Sequence, residues 1–412
     1  MPNYFDVLET RSADERESAL ATRLPQQIAH AKANAAYFSE SLKNFDAAAI
    51  TSTAALAALP VVRKSDLIEL QKQQRPFGGL AAARWGKLGR VFSSPGPIYE
   101  PEGRGADYWR TARALFAAGF RAGDLVHNSF SYHMTPGAWI LEAGAHALGC
   151  TVFPAGVGQT EQQVAAMADL APNGYVGTPS FLRILLEKAD ELDIKLPSLT
   201  KALVSGEAFL PPVRDALLAR GIAGYQAYAT AELGVIAYET EARQGLVVDE
   251  GVVVEIVRPG TGDPVAEGEV GEVVVTTFNT DYPLIRFGTG DLSAFLPGIS
   301  PCGRTNMRIK GWMGRADQTT KIRGMFVHPG QVAEIVKRFP DIVKARLVVT
   351  GAMANDSMTL KVETACTAPE GLHARVGEAI RDVTKLRGDV EVLLPGSLPN
   401  DGKVIEDARS YE

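Results

Sequence analysis

Three successive patterns of hydrophobic and polar positions divide the chain. In the first ninety residues, long polar side chains separate spaced apolar ones, which predicts helices over residues 24–41 and 65–74, the second with Ser65 as its N-cap. From about residue 91 to 235, short apolar runs alternate with segments of helical period. This alternation predicts βαβ units and a mainly parallel sheet.

The individual elements of this middle segment are predicted from their period and their bounding turn residues. The strands are expected at residues 125–130, 151–154, 175–176, 202–204 and 224–227. The helices are expected at residues 107–118, 136–148, 161–170, 180–192 and 211–219.

The pattern changes again near residue 247. Apolar runs at 247–248, 251–257 and 269–277, separated by a turn-rich connector at 258–264, predict hairpins in a small antiparallel sheet or barrel. Beyond residue 314, predicted helices at 330–339 and 372–384 alternate with predicted strands at 345–350, 359–364 and 390–394. The predicted fold class is therefore α/β, with a large N-terminal domain of mainly parallel sheets, a small β subdomain and a small α+β C-terminal domain.

Length and charge limit the classes of function. The chain has 412 residues, which predicts two or three domains, and 42 basic against 48 acidic side chains, a net charge of −6. This balance gives no general attraction to nucleic acid or to an anionic membrane. Three widely spaced cysteines, no visible signal peptide and no long apolar span lead us to expect a cytoplasmic protein.

Two turns could hold a phosphate or another ligand. Ser93 and Ser94 follow a short apolar run in a turn that is expected to precede a helix and could direct backbone N–H groups at a phosphate; an ordinary strand-to-helix turn is the alternative. Ser205-Gly206-Glu207 follows a predicted parallel strand, at the end where α/β sheets bind ligands.

Three further clusters carry polar groups suited to a nucleotide. Tyr228-Ala229-Thr230 is followed by Glu232, whose carboxylate could hold Mg²⁺. Asp291 follows two glycines that would allow the backbone to approach a ligand closely. Lys403 lies near the end of the chain, where most lysines are simply solvated. Taken singly, the segment from Tyr228 to Glu232 is more often a solvated turn, and a β-hairpin turn explains the segment around Asp291 equally well.

Their order along the chain resembles that of the adenylate-forming superfamily, and more narrowly the phenylacetate–CoA ligase family. The resemblance covers nearly the whole chain. Besides the clusters above, it is carried by PVVRKSDL (60–67), SYH (131–133), GTPS (177–180), DYPLIRF (281–287) and GRADQTTKIRG (314–324).

The resemblance implies an N-terminal AMP-binding domain over residues 1–316 and a mobile C-terminal lid over 317–412, hinged near Asp317. It also implies two chemical steps. A carboxylate attacks the α-phosphate of ATP, giving an acyl-adenylate and pyrophosphate, and the thiol of CoA then attacks the acyl carbon. ATP, Mg²⁺ and CoA would be needed, and a homodimer is compatible with the resemblance.

The family's site residues carry over motif by motif. The adenine would lie beside Ser205-Gly206-Glu207 and Tyr228-Ala229, with Thr230 at the α-phosphate and Glu232 holding Mg²⁺. Asp291 and Arg315 would bind the ribose hydroxyls, and Lys403 would neutralise charge at the α-phosphate and acyl oxygens. The acyl pocket would be built from Tyr132, His133, Trp139 and Pro179, although a packed core position is the alternative for His133.

The chain departs from the family pattern in two places. Where the family has a phosphate loop like SSGTTGKPT, this chain reads SSPGPIYEPEG (93–103), so that the threonines and the lysine are absent and Glu100 and Glu102 bring negative charge. These carboxylates are unfavourable beside a triphosphate unless they point away or bind metal. The family's zinc ligands correspond here to Thr240, Val247, Ser300 and Cys302, so no zinc site is expected.

Three functions are therefore compatible with the sequence. The leading one is an AMP-forming ligase that joins an aryl or arylacetic carboxylate to CoA. A second keeps adenylation and transfers the acyl group to an acyl carrier protein. The third is a degenerate nucleotide-binding or scaffold protein, which the altered phosphate loop favours.

Overall fold

The structure is a computed structural model of the chain. It describes residues 3–258, 260–313, 316, 320–323, 325–327, 329–352, 355–364, 371–399 and 403–409, with the backbone alone for residues 321, 326, 329, 330, 352 and 355. The chain forms two compact units, Met1–Met313 and Gly314–Glu412. The predicted domain boundary at residues 316 and 317 stays a prediction.

Helices and strands are mixed throughout the first unit. Its helices are α1 (Ala13–Asn34), α2 (Ala36–Ser41), α3 (Thr53–Leu56), α4 (Leu67–Gln73), α5 (Thr111–Ala117), α6 (Gly137–Ala147), α7 (Thr160–Leu170), α8 (Pro179–Glu191) and α9 (Pro211–Ala219). Its strands are β1 (Val62–Arg63), β2 (Arg90–Ser94), β3 (Ile98–Glu102), β4 (Leu125–Asn128), β5 (Thr151–Pro154), β6 (Gly174–Gly177), β7 (Lys201–Val204), β8 (Ala223–Thr230), β9 (Gly234–Tyr238), β10 (Leu246–Val248), β11 (Val252–Val257), β12 (Gly271–Thr277), β13 (Phe287–Ser293), β14 (Phe295–Leu296) and β15 (Arg308–Ile309).

The largest sheet has the strand order β14-β15-β10-β9-β8-β7-β6-β4-β5. Strands β5, β4, β6, β7 and β8 are parallel to one another, whereas β9, β10 and the strands beyond them are antiparallel to their neighbours. Val126 of β4 and the apolar residues of β6 and β7 are fully buried, as expected for parallel strands covered on both faces by helices. The predicted α/β class with a mainly parallel sheet is confirmed.

The N-terminal helices differ from their predicted bounds. Helix α1 begins at Ala13, because Ser12 and Glu15 form a capping box, and it ends before Ala35, which has extended backbone. The single helix predicted over residues 24–41 is therefore two helices with an earlier start. Helix α4 begins at Leu67 after a 3-10 turn that contains Ser65, so the prediction of Ser65 as its N-cap is wrong.

A second sheet, with the order β1-β13-β12-β11, contains the hairpin predicted from the runs at 251–257 and 269–277. The run at 247–248, predicted for the same small sheet, is instead part of β10 in the largest sheet. Arg286, just before β13, is buried, and its guanidinium binds the Glu255 carboxylate with two hydrogen bonds of 3.0 Å. It also donates to the backbone carbonyl oxygens of Ala57, Leu59 and Gly262. The five N–H groups of one guanidinium thus join three separate segments of the first unit.

The second unit contains strands β16 (Thr320–Ile322), β17 (Met325–Val327), β18 (Ile342–Ala352), β19 (Asn355–Thr364), β20 (Asp389–Leu393) and β21 (Ile405–Asp407), with helices α10 (Pro329–Lys337) and α11 (Leu372–Thr384). Four strands form a sheet in the order β20-β19-β18-β21. Apolar residues of this sheet and of both helices share one buried core, which confirms the predicted α+β architecture of this segment. In the described part of the chain, no helix has the length and apolar character needed to cross a membrane.

Replacing Arg286 should destabilise the first unit strongly. In Arg286→Met, the Glu255 carboxylate stays buried without its partner, and we expect the free energy of unfolding to fall by about 3–5 kcal/mol. All four tryptophans lie in the first unit, so tryptophan fluorescence during urea unfolding measures this unit alone.

The matched control is Arg220→Met, which removes the exposed ion pair with Asp190. It should leave the urea midpoint almost unchanged, because exposed ion pairs contribute little to stability. Equal shifts for the two variants would contradict the assigned role of Arg286.

Candidate active site

The carboxyl ends of the parallel strands bring most of the predicted site residues of the first unit to one edge of the sheet. The loop after β4 carries Tyr132 and His133, and the turn after β6 carries Pro179. Ser205 follows β7, and Tyr228 lies near the end of β8. Strands that run parallel in register end at the same edge, so segments far apart in sequence converge there.

The Ser205-Gly206-Glu207 turn is held by two hydrogen bonds. The Ser205 hydroxyl donates to the backbone oxygen of Ala227 at 2.8 Å, which ties the turn to β8. The backbone N–H of Ser180, in the first turn of α8, donates to the Glu207 carboxylate at 2.6 Å. A carboxylate at a helix N-terminus is favourable, so Glu207 stabilises α8 as well as bordering the edge. Gly206 has a φ of +85°, which favours glycine in this turn.

Tyr228 and Asp291 are in direct contact. The Tyr228 hydroxyl donates to Asp291 Oδ2 at 2.9 Å and lies 3.2 Å from Thr289 Oγ1. Trp312 Nε1 donates to the other Asp291 oxygen at 3.1 Å. The carboxylate is therefore oriented from two sides by an aromatic ring on β8 and an indole beyond β15, and its buried position keeps it in place.

Glu232 lies in the turn between β8 and β9, with its side chain fully buried. Lys64 Nζ lies 2.8 Å from Glu232 Oε1, an ion pair outside hydrogen-bonding geometry, and neither Glu232 oxygen accepts a hydrogen bond from the described residues. The nearby Thr230 hydroxyl accepts from the backbone N–H of Leu233 at 3.3 Å. Buried carboxylate oxygens without donors suit a hard cation such as Mg²⁺, so the residues present fit that ion.

The sequence predicted that the segment around Ser93 and Ser94 precedes a helix, and this prediction is wrong. Strands β2 and β3 form an antiparallel hairpin in which Ser94 pairs with Ile98, and Pro95-Gly96-Pro97 makes the turn. The Gln71 side chain of α4 donates to the backbone oxygen of Tyr99 and accepts from its backbone N–H, each at 2.8 Å, and these two bonds hold β3 in place. The Ser93 N–H donates to the backbone oxygen of Met134, so this N–H is not directed at a ligand.

The two acidic residues of β3 have different partners across the hairpin. Glu102 lies opposite Arg90, whose guanidinium is 2.9 Å from the Glu102 carboxylate. Glu100 lies opposite Phe92 and is fully buried. Burial, followed by the negative charge of Glu232, raises the pKa of Glu100 to about 8. Glu102 is thus neutralised by its cross-strand partner and Glu100 is not.

Two of the predicted acyl-pocket residues form an aromatic pair. The rings of Tyr132 and Trp139 meet edge to face at 5.2 Å. The Tyr132 hydroxyl accepts from Asn128 at 3.0 Å and donates to Glu142 at 2.6 Å, and burial followed by this carboxylate raises the pKa of the phenol. The His133 side chain is exposed, which excludes the alternative of a packed core histidine.

Other predicted residues lie elsewhere or outside the described residues. Arg315 and Asp317 fall outside them, and Lys403 is exposed in the second unit, just before β21. At the positions of the family's zinc ligands, Ser300 Oγ and Cys302 Sγ lie 3.0 Å apart and Thr240 is buried. Within the described residues there is no cluster of three or more His, Cys, Asp or Glu side chains that could hold a metal ion. The absence of zinc stays a prediction.

Sequence reasoning missed three contributors to this site. Lys64 and Trp312 gave no periodic or motif signal of their own, although Lys64 belongs to the family-like segment at residues 60–67. Both act through contacts with residues far along the chain, at Glu232 and Asp291. The burial of Glu100 follows from the hairpin, which local sequence did not predict.

Comparison with known proteins identifies the family. The AMP-binding enzyme family matches residues 109–280. A phenylacetate–coenzyme A ligase of Aromatoleum evansii is 32% identical over 95% of this chain and 91% of that protein. A phenylacetate–coenzyme A ligase of Thermus thermophilus is 30% identical over 96% of each protein.

A solved structure agrees over the full length. The crystal structure of 2-hydroxyisobutyryl-CoA ligase, in complex with its adenylate 2-HIB-AMP and CoA, matches with a TM-score of 0.81 at 27% identity, covering 100% of this chain and 93% of that one. The order of motifs, the site at the sheet edge and these full-length similarities agree, and the chain belongs to the phenylacetate–coenzyme A ligase family.

Proposed function

We propose that this protein is an ATP-dependent, AMP-forming ligase that converts a carboxylic acid to its acyl-adenylate and then to its CoA thioester. The observation that carries the proposal is that similarity to phenylacetate–coenzyme A ligases extends over 95% of the chain and therefore over both compact units. Both steps of the reaction need the groups of an adenosine site, a phosphate-neutralising cation and an acyl pocket.

The adenosine moiety would bind at the edge formed by β7 and β8. The turn at Ser205-Gly206-Glu207 and the Tyr228 ring would enclose the adenine, with Ala229 beside them. Asp291 would accept hydrogen bonds from the ribose hydroxyls, helped by Arg315. The contacts of Asp291 with Tyr228 and Trp312 support this role, because they orient the carboxylate before a nucleotide arrives.

The reacting phosphate would lie near Thr230 and Glu232. The Thr230 hydroxyl would donate to the α-phosphate, and Glu232 would hold Mg²⁺, which neutralises charge on the phosphate oxygens when bound. Lys403 would supply a further positive charge to the α-phosphate and acyl oxygens. A lysine suits this task because its ammonium is a compact charge on a flexible stem.

An aromatic acid is the proposed substrate class. The edge-to-face pair of Tyr132 and Trp139 offers apolar ring surface, and Pro179, the first residue of α8, lies at the same edge of the sheet. His133 would lie at the exposed mouth of this pocket. We propose an aryl or arylacetic carboxylate as the substrate and CoA as the acyl acceptor. Offering CoA and an acyl carrier protein separately to the pre-formed adenylate distinguishes these two acceptors.

Nucleotide binding tests the proposal against a degenerate scaffold. The β2–β3 turn contains two prolines, which have no N–H to donate, and this observation favours the scaffold alternative. We expect calorimetric titration with Mg·ATP to show micromolar binding, followed by CoA-thioester formation in a screen of aryl acids. Binding of AMP without ATP would contradict the ligase and favour a degenerate protein.

A change at Asp291 should weaken nucleotide binding. In Asp291→Asn the amide cannot accept from both ribose hydroxyls as a carboxylate does, and the loss of about 1.5–3 kcal/mol corresponds to roughly 10- to 100-fold weaker AMP binding by calorimetry. Tyr228→Phe is the control, since it removes one hydrogen bond to Asp291 but keeps the ring. We expect a change of less than about threefold there. Equal losses of AMP affinity in the two variants would contradict a direct contact between Asp291 and the ribose.

A change at Lys403 should slow adenylation without unfolding the protein. The Lys403 side chain is exposed, so shortening it leaves the packing of the core unchanged. Removing one positioned charge from a phosphoryl transfer site slows the reaction by about 100-fold or more. The measurement is acid-dependent pyrophosphate release. Lys337→Ala, at another exposed lysine of the second unit, should leave the rate unchanged. Wild-type turnover in Lys403→Ala would remove Lys403 from the mechanism.

A further inference from the structure

Glu100 is a buried carboxylate that the family's usual site does not explain. It replaces part of the phosphate loop, and within the hairpin it faces the same side as Ile98 and Glu102. Glu102 has Arg90 directly across the hairpin, whereas Glu100 has Phe92, which offers no charge and no donor. The hairpin itself therefore leaves Glu100 without a counter-charge.

The neighbours of Glu100 add negative charge rather than remove it. Ser94 lies beside the Glu100 carboxylate and favours its ionised form, but burial and the charge of Glu232 outweigh this effect on the pKa. No donor in the described part of the chain reaches either Glu100 oxygen in hydrogen-bonding geometry, and the same is true of both Glu232 oxygens. Lys64 is the cation that pairs with this group, through Glu232 at 2.8 Å.

A third buried polar group, the hydroxyl of Tyr282, also lacks a partner in the described part of the chain. The Tyr282 side chain is 1% exposed, and its hydroxyl has no hydrogen-bond partner among the described residues. Its pKa is raised well above the ordinary value by burial and then by the charges of Glu232 and Glu100, so the phenol lies close to both carboxylates. A buried hydroxyl that lacks a partner beside two carboxylates that lack donors indicates a site for a further polar group.

Charge and chemistry restrict what that group can be. If Glu100 and Glu232 were both ionised, one ammonium would leave an excess negative charge in a buried space, and the cost of that charge is what raises the pKa of Glu100. A divalent cation would remove the excess and would bind carboxylate oxygens, which are the protein ligands that Mg²⁺ and Mn²⁺ prefer. A phenol can hydrogen-bond to a water on such an ion or to its carboxylate ligands.

We infer that Glu100 and Glu232 together form a two-carboxylate site for a divalent cation, with Tyr282 as its outer hydrogen-bonding partner. The inference rests on the proposed function only in taking Glu232 as the magnesium ligand. It also gives the altered loop a function. The chain lacks the lysine and threonines that contact phosphate in the family, and a cation held by Glu100 supplies positive charge at that place. A site with two protein carboxylates holds its ion without a nucleotide.

Direct metal binding tests this inference. The probe is Mn²⁺ alone, titrated into the full-length protein without nucleotide and followed by electron paramagnetic resonance of the free ion. We expect one Mn²⁺ per wild-type chain and at least tenfold weaker binding for Glu100→Gln, which has the same shape and no charge. Glu102→Gln is the matched control on the same face of the hairpin, and it should bind Mn²⁺ within twofold of wild type.

Thermal unfolding distinguishes a loss of Mn²⁺ binding from a failure of the variant to fold. Glu100→Gln replaces a buried carboxyl group, whose ionisation is costly, by a neutral amide of the same shape, so without metal it should unfold at or above the wild-type temperature. Saturating Mn²⁺ should raise the unfolding temperature of wild type and Glu102→Gln but not that of Glu100→Gln. Wild-type protein that binds no Mn²⁺, or Glu100→Gln that binds it like wild type, overturns the inference, and a proton on Glu100 would then balance the charge.

The two proposals fail in different ways. If AMP binds and CoA thioesters form while Mn²⁺ binding needs no Glu100, the second carboxylate is wrong and the ligase stands. If Mn²⁺ binds through Glu100 but no acid is adenylated, the metal site stands and the ligase is wrong.

Discussion

The first unit depends on one buried guanidinium. Arg286 uses its five N–H groups on the Glu255 carboxylate and on carbonyl oxygens that precede β1 and follow β11. These contacts fix where β13 begins, and β13 carries Thr289 and Asp291 directly afterwards. The position of the proposed ribose carboxylate is therefore set by an ion pair that itself contacts no substrate. Its burial makes the arrangement rigid, because an arginine in that place has no favourable alternative partner in an apolar core.

Much of the fold could be predicted from local pattern. Strand β5 and helices α9 and α11 have the bounds that their sequence indicated, because their period and turn residues lie within the element itself. The parallel sheet followed from the alternation of such elements. The β2–β3 hairpin could not be predicted in this way, since β3 is held by the Gln71 side chain of α4 and a local apolar run gives no sign of that contact.

The site shows the same division between local and distant causes. Sequence order placed Ser205 and Tyr228 at one edge, because parallel strands end together. The partners that orient these groups are remote. Glu207 meets the first turn of α8, and Asp291 meets Trp312, contacts that depend on how elements pack and not on any motif. Motifs thus identified which residues gather at the edge, whereas packing determined what each of them is bound to.

The charge balance of the altered loop follows from the period of two along β3 and from the residue that lies across the hairpin. Glu100 and Glu102 face the same side of β3, so both turn inward together, and only the residue across the hairpin differs. Arg90 compensates Glu102, and Phe92 cannot compensate Glu100. A polyphosphate bound near these two groups would meet Glu232, which is paired with Lys64, and Glu100, whose oxygens accept no hydrogen bond from the described residues. A chain that handles ATP here must therefore bring positive charge with the substrate or hold it beforehand, and two buried carboxylates without donors are suited to holding it.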